Sequence, residues 1–198
     1  MEKNSLRLLA VGLTVLLLGG CTRLALHATS SLVPSLTSVF FEECDLELAK
    51  QSLPAQLKMM EGLLKNAPRN KEFLTTLSMG YTGYAMLFVE EEDPERASRL
   101  YRRARGYGLR AIGIDETILQ TGRDCLEGID AKDIRPLFWV AMSWNAWIAL
   151  NLDKPAVLGE LSTAQACLDR VMEIDPGYFF GLSLIHISEP TRLKRISY

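Results

Sequence analysis

The residues of this chain whose types and spacing bear on chemistry are aromatic rings, two isolated arginines and one N-terminal cysteine. No HExxH, GxSxG, phosphate loop or CxxC pair occurs. Of the two histidines, His27 follows the N-terminal apolar run and His186 lies near the C-terminus, so neither sits in the helical patterns that would position a general base. The run Glu90-Glu91-Glu92-Asp93 lacks the spaced ligands and glycine of a calcium loop. The sequence therefore predicts no catalytic residue, no metal site and no cofactor. It offers binding surfaces instead. Phe138, Trp139, Trp144 and Trp147 cluster on one stretch, and at about 100° per residue they spread over more than one helix face. Trp144 and Trp147 share a side, and Trp139 lies on another. One reading makes these rings the wall of a ligand passage; the other makes them packing between stacked helices. Tyr81 and Tyr84 flank Gly80 and Gly83, which permit close helix approach, and carry the same two readings. Asn145, beside Trp144, is the polar group that would orient a ligand, or else takes a solvated or capping role. Arg110 and Arg135 are candidates to meet a carboxylate of a partner or solute, or to close an internal ion pair. Arg96, Arg99, Arg102, Arg103 and Arg105 share one helix and read as its solvated face, or as a face that docks an acidic partner or holds an organic acid.

Those side chains need a place in the cell and a scaffold. A charged start with Lys3 and Arg7 precedes the apolar run Leu8 to Leu18, which ends in Leu18-Gly19-Gly20-Cys21. A bilayer span needs about 20 consecutive apolar residues, and this run is shorter and ends in small residues that suit a peptidase. The ending resembles the bacterial lipobox, which makes Cys21 the lipidated residue and membrane anchor. Thr22 follows it, with no Asp at that position, so the general lipoprotein sorting rule points to the periplasmic face of the outer membrane. At the other end, Leu182 to Arg192, the three residues Leu193-Lys194-Arg195 and then Ile196-Ser197-Tyr198 resemble a translated sequencing adapter: constant arm, index, constant arm. The expected organisation is a signal peptide at 1–20, a lipidated Cys with tether or first helix at 21–44, a helical domain at 45–181 truncated at its C-terminus, and a non-native tail at 182–198.

Between those ends, residues 22–181 hold 17 basic and 22 acidic side chains, a net charge near −5 that gives no basic stripe for nucleic acid. The length suits one domain. Cys44, Cys125 and Cys167 match no metal spacing, and the last two fall in helical patterns where a thiol serves as a small apolar residue.

The interior reads as helix after helix. Asp45 caps an apolar stripe from Leu46 to Leu64, within which Pro54 is expected to kink or restart the helix. A second stripe runs from Phe73 to Phe88, and a third begins at Pro94, well placed for a first turn. A short helix is expected near Glu116 to Leu126, then helices over Ile134–Leu150 and Leu158–Ile174. Pro68 and Pro176 fall where helix pairs of the tetratricopeptide type end, though the repeat is degenerate, with insertions around 90–94 and 151–160. The expected fold is all-α: stacked antiparallel helix pairs, a degenerate tetratricopeptide-like α-solenoid. Such pairs cannot bury their apolar faces alone and therefore stack.

The lipobox, the helix pairs and the stretches Tyr107-Gly-Leu-Arg-Ala111, Arg135-Pro-Leu-Phe-Trp-Val-Ala-Met-Ser-Trp-Asn-Ala-Trp147 and Met172-Glu-Ile-Asp-Pro-Gly-Tyr178 together resemble the T component (TatT) of tripartite ATP-independent periplasmic (TRAP) transporters. The resemblance implies an envelope lipoprotein that partners a periplasmic solute-binding protein and, as a homo-oligomer, offers channels to a hydrophobic or organic-acid ligand. Two function classes follow: a transport accessory with a ligand, and a general repeat adaptor of the envelope without one.

Overall fold

The computed structural model describes residues 42–117 and 124–181. The signal peptide, Cys21 with its tether, the middle of the short helix expected near 116–126, and the tail at 182–198 lie outside the described residues. The described residues from Cys44 to Gly181 belong to one compact unit, all-helical with no strand among them.

Local rules set the helix ends. Asp45 accepts from the backbone N–H groups of Glu47 and Leu48, both at 3.0 Å, and opens α1 (Leu46–Asn66). Asn70 does the same for α2 (Lys71–Phe88) through the Phe73 N–H at 3.1 Å. Asp93 caps α3 (Pro94–Ile112), with Pro94 in its first turn and Gly113 closing it at φ 74°. There follow the single turn α4 (Asp124–Glu127), a 3-10 turn (Ala131–Asp133), α5 (Ile134–Ala149), the single turn α6 (Pro155–Leu158) and α7 (Leu161–Ile174). A second 3-10 turn (Tyr178–Gly181) ends the described chain.

Two helix bounds differ from expectation. Of the two outcomes expected at Pro54, a kink or a restart, the restart does not occur, because α1 runs through it from Leu46 to Asn66. Proline removes one N–H and crowds the preceding turn, and the buried stripe Ala49, Leu53, Leu57, Met60 and Leu64 packs α1 on both sides of it. The last helix pattern is split, with α6 ending at Leu158 and α7 starting at Leu161.

Packing builds a stack. Each long helix lies against the next, α1 on α2, α2 on α3, α3 on α5 and α5 on α7, and α2 also touches α5. That last contact joins neighbouring pairs into one core, which is what stacked pairs require and is compatible with a tetratricopeptide-like arrangement. Two glycines mark the closest approaches. A Cβ on Gly108 would meet Val140 Cγ2 at 2.5 Å, Ser78 Oγ at 2.9 Å and the Pro136 carbonyl at 3.3 Å, so α3 presses on α2 and α5 at once. A Cβ on Gly80 would meet Leu57 Cδ2 at 2.6 Å, whereas one on Gly83 would meet nothing within 4 Å. Of the two glycines beside the tyrosines, Gly80 alone serves helix approach. The core centres on α5, where Leu137, Phe138, Val140, Ala141 and Trp144 are buried.

Candidate functional site

The buried face of α3 is set by Ala97, Tyr101, Ala104 and Gly108. Arg105 stands four residues after Tyr101 and eight after Ala97, so the helical period carries it onto that face. It is 4% exposed, which corrects its expected place on the solvated basic face. Its guanidinium lies 4.3 Å from the centre of the Trp144 ring and 5.1 Å from that of Trp147. Nη1 donates to Glu160 at 3.1 Å and Nη2 to Glu116 at 2.5 Å. Trp144 Nε1 donates to the same Glu160 oxygen at 2.8 Å. A buried cation costs several kcal/mol unless it is paired and bonded. Here two carboxylates and two indole faces surround it, and the rings add cation–π attraction. The guanidinium Nε is buried without a hydrogen-bond partner. One cation thereby ties α3 to α5, to the α6–α7 junction and to the segment after α3.

The tryptophans divide as their spacing predicts. Trp144 is fully buried and Trp147 half-buried, both against Arg105. Trp139 turns the other way, edge-on to Phe138 at 5.1 Å and to Phe179 at 5.7 Å. Phe138 also meets Tyr178 at 5.4 Å, so this cluster sits against the last described turn. Phe179 takes φ 52°, a strained choice for an aromatic residue. The Asn145 amide donates to the Ala141 carbonyl of its own helix at 2.9 Å.

A second centre joins α1, α2 and α3. Glu61, four-fifths or more covered, accepts from the Tyr81 and Tyr107 hydroxyls, each at 2.7 Å, and from Lys58 at 2.8 Å, and pairs with Arg103. The two tyrosine rings stack at 5.9 Å, and Arg103 lies 4.7 Å from the centre of the Tyr81 ring. Burial works to raise the Glu61 carboxyl, but the bonds from Lys58, Tyr81 and Tyr107 and the charge of Arg103 outweigh it and hold the group at about 2. Burial and that anionic acceptor push the Tyr81 and Tyr107 hydroxyls up. Tyr84 stands apart, accepting from Arg96 at 3.4 Å. Arg135 spends its charge on Glu72 at 3.2 Å. Arg110 donates to the Pro68 carbonyl at 3.1 Å and lies 5.6 Å from the Tyr107 ring centre.

Sequence reasoning thus named Tyr81, Trp144 and Trp147, which the structure sets in these two centres, placed Arg105 on the wrong face and did not name Glu61 or Glu160. The register from Ala97 and Tyr101 carries the signal for Arg105. No local pattern marks the two acids, whose partners come from distant helices. Among the described residues, no helix is long and apolar enough to cross a membrane.

Compared with known proteins, residues 42–186 match the model of a family described as TRAP transporter T-component. The match takes in the whole helical unit and reaches past Gly181. A protein of Treponema pallidum (strain Nichols), described as uncharacterized, is 29% identical over 168 residues, an alignment covering 73% of this chain and 52% of the relative. The chain thus spans about half the length of that relative.

Proposed function

The chain belongs to the TRAP transporter T-component family, and from that premise we propose that it is a lipid-anchored accessory of a TRAP-type transporter that docks a periplasmic solute-binding protein. The observation carrying this reading is the family match across all the described helices. In it, Cys21 holds the chain to the periplasmic face of the outer membrane, the helix stack presents the docking surface, copies assemble into a homo-oligomer, and a hydrophobic or organic-acid ligand rests against the aromatic interior. The half-buried Trp147 ring supports the ligand part, because apolar rings line small-molecule sites, while the Arg105 charge is already met by Glu116 and Glu160.

The test is size-exclusion chromatography of the chain in detergent with a purified periplasmic solute-binding protein of a TRAP system. Co-elution is expected; independent elution at concentrations well above those of the cell would overturn the docking assignment. A ligand-free adaptor is the second reading. It is favoured by Trp144, which is fully buried with its indole N–H already given to Glu160. Native mass spectrometry separates the two, since a co-purifying small molecule is expected only of the first.

A further inference from the structure

Beside the Glu61 centre, α1 and α3 leave an open groove of about 580 Å³, within the size range of small-molecule sites. Its walls carry four cations, Lys58, Lys65, Arg103 and Arg110, against one carboxylate, Glu61. The groove therefore holds an excess of three positive charges in a chain whose net charge is −2. Glu61 is already satisfied by two of those cations and two tyrosine hydroxyls. Among the described residues the Lys65 side chain has no ion pair or hydrogen bond, and the Arg110 side chain is held by a carbonyl and a ring.

Helix ends explain part of this charge. Lys65 and Arg110 sit in the last turns of α1 and α3, where each helix contributes roughly half a negative charge. Two such ends offset about one unit of the excess, which leaves about two positive charges unmatched. Guanidinium and ammonium groups around a partly apolar floor are the donor set for phosphate or carboxylate oxygens.

The floor is open for a definite reason. Gly62 lies on it, and a Cβ there would meet nothing within 4 Å. We propose that the α1–α3 groove binds a small dianion, a molecule bearing a phosphate or two carboxylates, at Lys65 and Arg110 with Lys58 and Arg103 beside them. This site is separate from the tryptophan centre and does not rest on the transporter reading.

Isothermal titration calorimetry of the full-length chain in detergent, with inorganic phosphate and with succinate as probes, tests it. One or both are expected to bind, more weakly as salt screens the charges. Lys65→Ala combined with Arg110→Ala is expected to weaken binding about tenfold or more. Gly62→Leu removes no charge and fills the floor, so it is expected to weaken binding similarly while melting at or above the parent temperature. Arg99→Ala, on another stretch of α3, leaves binding unchanged. Absence of binding by both probes overturns the proposal, as does binding that survives both groove variants. Vesicles of phosphatidylglycerol in phosphatidylcholine form the separate arm: groove-dependent binding to them without binding of either free anion overturns the small-solute site in favour of a membrane surface.

Discussion

A single carboxylate, Glu61, draws three helices together, and its ionisation is therefore a term in stability. Its carboxyl sits at about 2 in the folded protein against an ordinary 4.5. A lowered value means that the folded state favours the ionised form, so the contribution is complete above the ordinary value and is lost as pH falls through 4.5 toward 2. Lys58 and Arg103 are 66% and 42% exposed, and water screens their attraction. After that discount the contribution is about 2 kcal/mol. Glu61→Gln is expected to lower stability in urea by that amount at pH 7 and to flatten the fall between pH 4.5 and 2. An unchanged pH profile would mean that the four donors do not act on this acid in solution. Trp144 makes a second claim at this scale. Fully buried, it should cost about 3–5 kcal/mol on truncation to Ala, read as a large drop in melting temperature. Normal melting with lost ligand binding would instead make it the wall of a passage. Both groups show why chemistry was harder to read than packing. Tyr107 meets Glu61 across 46 residues and Arg105 meets Glu160 across 55, and no local spacing encodes such a partner.

Helices were legible where their rules are local. Asp45, Asn70 and Asp93-Pro94 declare their helix starts by residue type alone, and the stripe from Ala49 to Leu64 declares its buried face. At Pro54 the helix does not restart, because packing along α1 holds the chain helical on both sides of it. The split at Gly159 was missed because Pro155 opens one short turn and Leu161 another within a single apolar pattern. Glycines make the same contrast testable. Gly108 is the point where α3 approaches α2 and α5, with a Cβ forced to 2.5 Å from Val140 and 3.3 Å from a backbone carbonyl. Gly108→Ala should therefore cost about 1–3 kcal/mol through overpacking. Gly83 and Gly62 are also helical, but a Cβ at either meets nothing. There Ala should stabilise by about 0.5–1 kcal/mol, the ordinary helix preference over Gly. Thermal melts of the three variants read the sign directly. If Gly108→Ala melts like Gly83→Ala, α3 is not pressed against its neighbours as described.

At the scale of the molecule, the question is what the stack and its N-terminus each contribute. No described helix is long and apolar enough to cross a membrane. The proposed role assigns membrane attachment to Cys21, and to its acyl chains in particular. Each buried CH₂ contributes about 0.8 kcal/mol, so several chains hold a domain of this size firmly whereas a single one does not. The anchor and the fold should then be separable. Cys21→Ser is expected to move the chain from the membrane pellet to the soluble fraction. The melting temperature of the helical unit should stay the same, because its caps, glycine contacts and buried ion pairs all lie between Asp45 and Tyr178. Docking to a solute-binding protein measured in solution should survive as well, while transport in cells should fall, since the accessory would no longer be held beside its membrane partners. A Cys21→Ser chain that still pellets with membranes would place the attachment on the protein surface itself, and the cationic groove between α1 and α3 would be the first place to look for it.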